Sequence, residues 1–188
     1  MSPSSVAADA GALGVPQSLG EAFAVPGAAD ADLLGDALHG FLAAEAPTLT
    51  RGARRDLAEG LLARHGVSGA LDPERLLEMS DRLRAWLARV APGARVLREW
   101  PLGSCDDLGT LVAGTADMLV EHNEQVMIID HKSHRSVDGA KKNVLSLAGQ
   151  LACYANAIKQ LRPDAQISTW VHLPFAGVVV PVSAVGQV

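Results

Sequence analysis

From Ala94 to Asp130 the chain drops the helical spacing of its first half and reads as three short β-rich runs. The runs are 94–102 (ARVLREWPL), 110–122 (TLVAGTADMLVEH) and 125–130 (QVMIID), with a turn signal at His122, Asn123 and Glu124. Helical period then returns from Lys141 to Leu161 and ends at Pro163-Asp164, before strand-like runs at 167–173 and 177–183. This order, helices, three strands, a long helix and two strands, predicts an α/β or α+β domain with a mixed sheet.

Three helices precede the strands. Leu34, Leu38, Phe41 and Leu42 are spaced as one helix face over about 30–45, stopped near Pro47. Thr50 opens a second helix that ends at Gly66. Asp72-Pro73 opens a third, which runs to Pro92-Gly93. Residues 1–28 mix Ala, Gly, Ser and Pro without a sustained period and read as a linker or flexible arm, leaving 29–188 as the domain.

Composition narrows the function classes. Of 188 residues, 48% are hydrophobic and 20% charged, which suits one domain with a real core. The net charge of -5 excludes a histone-like polycation. No apolar run of membrane-spanning length and no secretory signal are visible, so a soluble cytoplasmic protein is expected. Two cysteines, Cys105 and Cys153, cannot ligate an iron-sulfur cluster with four thiolates.

The chemistry concentrates between Gly114 and Tyr154. Asp130 and Lys132 are two apart on one strand, so both side chains leave the same face. With the turn at 122–124, Asp117 lies near the same end of the neighbouring strand, and the two carboxylates can share a hard cation such as magnesium. Such a set suits phosphodiester hydrolysis, in which a lysine orients the attacking water and opposes the developing phosphorane charge. A lone D-x-K also describes an exposed strand-end ion pair. Gln150 and Tyr154 are four apart on the following helix and project together. Their partners in the helix core are read as Val144, Ala148, Leu151, Ala155 and Ile158, turned away from the pair. His39 sits one position off the apolar stripe of the first helix, with Gly35 a turn earlier permitting close approach.

In this order the residues resemble the RecB-type nucleases of the PD-(D/E)XK superfamily, especially the nuclease domains at the C-terminal end of bacterial helicase-nucleases such as AddA and RecB. Gly35–His39 (GDALH) matches the histidine motif and Glu99–Pro101 (EWP) looks like the first-strand segment. Gly114–Asp117 (GTAD), Asp130–Lys132 (DHK) and Gln150–Tyr154 (QLACY) match the aspartate, D/E-x-K and Q-x-x-x-Y motifs. The resemblance implies a restriction-endonuclease-like mixed sheet flanked by helices, with an N-terminal helical segment.

It also implies roles. His39, Asp117 and Asp130 would hold one or two Mg2+ or Mn2+ ions, His131 would lend its backbone carbonyl, and Lys132 would act on the water. Gln150 and Tyr154 would form the catalytic edge, with Tyr154 also contacting DNA. Some relatives carry a four-cysteine iron-sulfur staple, for which this chain lacks the cysteines.

Residues 126–162 hold six Lys or Arg against two Asp, a local charge of +4 that leaves -9 elsewhere. Arg135, Lys141 and Lys142 are therefore candidate phosphate contacts on DNA, either single-stranded or at duplex ends. No glycine loop with G-K-[ST] is present, so the chain has no ATPase of its own, and the helicase motor that the resemblance implies would lie in a longer polypeptide or a partner subunit. The expected setting is double-strand break processing and recombinational repair at the bacterial nucleoid. Two alternatives remain, a non-catalytic DNA-binding or scaffolding module on the same fold and a stand-alone exonuclease.

Overall fold

The computed structural model describes residues 2–6, 8, 11–25, 30–105 and 111–184. Residues 29, 106–110 and 185–188 of the expected domain lie outside them, among them Thr110, expected to start a strand. Three helices come first: α1 (Ala31–Ala44), α2 (Arg51–Arg64) and α3 (Pro73–Val90). Each begins where a side-chain oxygen accepts otherwise unpaired helix N–H groups, from Asp30, Thr50 and Asp72 respectively.

Upstream of them lie β1 (Gly11–Leu13) and β2 (Gln17–Ser18), and downstream β3 (Arg95–Cys105), β4 (Leu111–His122) and β5 (Gln125–His131). A short α4 (Val137–Lys141) and the long α5 (Val144–Leu161) lead to β6 (Gln166–Leu173) and β7 (Val178–Ala184). The seven-stranded sheet is ordered β1-β7-β6-β5-β4-β3, with β2 also pairing β7. Its one parallel pair is β5 with β6, joined through α5, and the other pairs are antiparallel. The mixed sheet flanked by helices is the architecture expected from the element order. Asn123, with φ 55, makes the turn between β4 and β5 at the predicted place.

Alternation divides the core between the two faces. Val126 and Ile128 of β5 pack with Leu147, Leu151 and Ile158 of α5. Ile129 and Met118 pack instead with Leu83, Trp86 and Leu87 of α3, and α1 adds Leu34, Leu38 and Phe41 beside α2. No helix among the described residues is long and apolar enough to cross a membrane.

The N-terminal segment differs from its reading as a linker or flexible arm. β1 and β2 extend the sheet along β7, Pro3 is buried, and the Ala8 N–H donates to Leu145 O at 3.0 Å. Small residues make this docking possible. A Cβ on Gly149, in the middle of α5, would lie 2.2 Å from Val6 O, so only glycine lets the segment lie against the helix there. The helix expected from Lys141 is also interrupted, with Lys141 ending α4 and Val144 starting α5.

Candidate active site

β4 and β5 stop exchanging ladder hydrogen bonds beyond Met118 and Ile129. The next residues in that register are Asp117 and Asp130. There the carboxylate of Asp117 replaces a main-chain acceptor, its Oδ2 taking the His131 N–H at 2.7 Å. On the other side of β5 the Lys132 N–H donates to His172 O at 3.0 Å. The D-H-K segment is thus tied on both flanks.

Asp130 is almost fully buried and pairs with Lys132, Nζ to Oδ2 at 2.8 Å. Burial raises its carboxyl to about 6, against the pull of Lys132 and with the help of Asp117's negative charge. Burial likewise raises Asp117, while His39, the His131 N–H and Lys132 act to lower it and Glu99 adds to the rise. The Lys132 ammonium is held above its ordinary range by Asp130 and Asp117, although burial opposes them.

His39 arrives from α1, its Nδ1 3.7 Å from Asp117 Oδ2. Two features hold the helix there. A Cβ on Gly35 would lie 3.0 Å from Ser133 Oγ, so α1 crosses close over the chain just beyond Lys132. At the other end Glu45, wholly buried, meets Arg54 Nε at 2.8 Å, Arg84 at 3.1 Å and Arg98 at 3.6 Å, and accepts from Ser80 Oγ at 3.0 Å. This hub joins the end of α1 to α2, α3 and β3.

The ring of His131 packs 6.1 Å from that of His39, and its Nδ1 is 3.1 Å from Nδ1 of His172. Both inner imidazoles are buried, which lowers His131 well below its ordinary range and His172 to about 3. The His131–His172 pair has no signature in sequence spacing, because it follows from the parallel register of β5 and β6.

Gln150 Nε2 is 3.4 Å from Tyr154 Oη, which donates to Thr115 O at 2.7 Å. Tyr154, expected off the core stripe of α5, lies in it instead. Its side chain is 4% exposed and belongs to the core cluster of α5. The N-terminal segment covers this side of α5, and a Cβ on Gly114 would lie 2.8 Å from Pro3 and 3.1 Å from Tyr154 Oη.

Arg135, Lys141 and Lys142 are exposed, and Lys141 pairs with Asp138 at 2.9 Å. Two other members of the basic region are engaged, Lys159 donating to Pro163 O and Arg162 pairing with Glu121.

Glu99 was not among the expected site residues. The register pairs on either side of it, Arg98 with Met118 and Trp100 with Ala116, put it across from Asp117. Its φ of 47 is unusual for a residue other than glycine. The only sequence sign of it was the EWP segment.

The donor set suits a divalent cation. Asp130 is buried and Asp117 largely so, a desolvation cost that a cation offsets, and carboxylate, carbonyl and water oxygens are the ordinary ligands of magnesium and manganese. Among the described residues no three Asp, Glu, His or Cys side chains form a ready-made cage. Main-chain oxygen and water would complete the shell, which magnesium favours.

No curated protein matches the chain. A family model described as the PD-(D/E)XK nuclease superfamily matches residues 13–179, a span that includes His39, Asp117, Asp130, Lys132, Gln150 and Tyr154. The fold and the match over most of the chain agree, and the protein belongs to the PD-(D/E)XK nuclease superfamily.

Proposed function

We propose that this chain is a Mg2+- or Mn2+-dependent deoxyribonuclease domain that hydrolyses phosphodiester bonds in DNA. The observation that supports the reading is a pair of linked contacts on neighbouring strand ends, His39 with Asp117 and Lys132 with Asp130, joined by the His131 N–H bond to Asp117. Asp117, Asp130 and His39 would hold the ion, with the His131 carbonyl beside them. A bound ion supplies Lewis-acid polarisation of the phosphate and lowers the pKa of water.

The chain's own groups do the rest. The His131 N–H fixes the orientation of Asp117, and burial beside Lys132 fixes that of Asp130. Lys132, charged and about one third exposed, orients the attacking water and opposes charge on the phosphorane. Gln150 places the scissile phosphate, and Tyr154 supports it by anchoring α5 to Thr115 of β4. Arg135, Lys141 and Lys142 bind DNA phosphates without reading sequence.

The finer setting is a helicase-nuclease that processes double-strand breaks in recombinational repair, its motor elsewhere in a longer polypeptide or on a partner. It rests on the resemblance of the five motifs to those of AddA and RecB. Digestion of linear plasmid and oligonucleotide DNA with magnesium, and with EDTA, tests the nuclease reading. Magnesium-dependent cleavage is expected, and intact DNA under both conditions overturns it.

A further inference from the structure

Of the three Phe, three Trp and one Tyr in the chain, Trp100 alone has an exposed side chain, at 40%. The other two tryptophans pack against each other with ring centroids 5.3 Å apart, and their N–H groups reach Gln17 and Ser168. Trp100 has no ring contact and no hydrogen bond from its indole among the described residues. Exposed aliphatic side chains such as Leu161 are ordinary when they occur singly, but Trp100 is the one exposed aromatic ring among the described residues, and it lies one register step from Asp117.

The backbone supplies the setting. Trp100 is in register with Ala116, the residue before Asp117, which puts its Cα about 6 Å from that of Asp117 given ordinary pair spacing and rise. Glu99, with its left-handed φ, breaks the strand alternation, so Glu99, Trp100 and Pro101 are all exposed in succession on the edge strand β3. Pro101 has no N–H to offer a further strand, which protects this edge from pairing. Tyr154, the other aromatic near the site, is buried under Pro3 and has no free face.

We propose that Trp100 is the base-stacking platform of the site and that the substrate it receives is single-stranded DNA, a nucleotide beside the scissile phosphate laying its base on the indole. A duplex keeps its bases stacked on one another, whereas an unpaired base has a free face for an aromatic ring. This deepens the nuclease reading and rests on it for the identity of the ligand.

The test is fluorescence-anisotropy titration of a labelled oligothymidylate and of an abasic oligomer of equal length, in calcium without magnesium. The parent protein is expected to bind the base-bearing oligomer more tightly than the abasic one. Trp100→Ala should weaken binding of the first by about 5- to 150-fold, leave the second unchanged, and be largely rescued by Trp100→Phe. Equal binding of the two oligomers by the parent overturns the proposal without any variant, as does failure to bind either. An equal loss on both in Trp100→Ala also overturns it, since that marks a phosphate or folding effect. Cleavage in magnesium is scored separately. Base-dependent binding without cleavage would sink the nuclease reading alone, and cleavage with Trp100 irrelevant would sink the platform alone.

Discussion

The His131 main-chain N–H donates to Asp117 Oδ2 at 2.7 Å, so the strand that carries Asp130 and Lys132 also clamps the carboxylate facing it. One hydrogen bond thereby ties the geometry of the aspartate motif to that of the D-x-K motif. A buried N–H would otherwise need a ladder carbonyl, and giving it a side chain instead opens the sheet at the site.

Asp130 provides a pH test on the metal-free protein. Its carboxyl sits at about 6 in the fold against an ordinary value of 3.8, raised chiefly by burial. Between those values the folded protein retains a proton that the unfolded chain has released. The contribution to stability is therefore present below the ordinary value and lost as pH rises through about 6. Asp130→Asn should gain stability relative to the parent by about 1–3 kcal/mol between about pH 4 and about pH 7.5, and then level off. Urea unfolding of both proteins at those two pH values measures it, and a constant difference would refute the assignment.

Glu45 should be among the costliest residues to truncate. Removing it takes away the buried carboxylate that Arg54, Arg84 and Arg98 share and leaves Asp81 to face Arg54 and Arg84 alone, a loss of about 3–5 kcal/mol. Glu45→Ala should lower the urea midpoint accordingly. A loss of less than about 1 kcal/mol would mean the hub does not hold α1 to β3.

Gly149→Ala should release the N-terminal segment. Alanine favours a helix interior by about 1 kcal/mol, so α5 itself should persist. The new Cβ would collide with Val6 O, and Ala8 should lose its bond to Leu145. Hydrogen exchange should quicken at the Ala8 amide while the amides of Tyr154 to Ile158 stay protected. Unchanged exchange at Ala8 would contradict the packing described.

These residues also mark what a sequence reading can and cannot reach. β3 to β7 were legible because their runs alternate or are bounded by turn residues, and their ends fall within three residues of those expected. β1 and β2 were not, since strands of three and two residues carry no alternation. The Q-x-x-x-Y spacing put Gln150 and Tyr154 on one helix face, yet α5 is covered by both the sheet and the N-terminal segment, so its buried stripe is wider than one side. Glu45 resembles an ordinary helix-end charge in sequence. Its burial depends on arginines from three other elements, which only the fold assembles.

His39 should contribute to metal binding. His39→Ala should raise the manganese concentration needed for half-maximal activity, and a crystal soaked in manganese gives the direct view. Imidazole nitrogen coordinates a first-row metal at about 2 Å. An ion bound to both aspartates with the His39 ring beyond about 3 Å would remove His39 from the ligand set.

The central claim, that Asp117, Asp130 and Lys132 form a nuclease centre, is tested most directly by single-turnover cleavage of linear DNA in magnesium by the parent and the three alanine variants. Asp117→Ala and Asp130→Ala should lose several orders of magnitude in rate with the fold intact. Lys132→Ala should lose turnover while still binding manganese, because an ammonium is not a ligand. Parent-like rates in either aspartate variant, with contaminating nuclease excluded, would contradict the account.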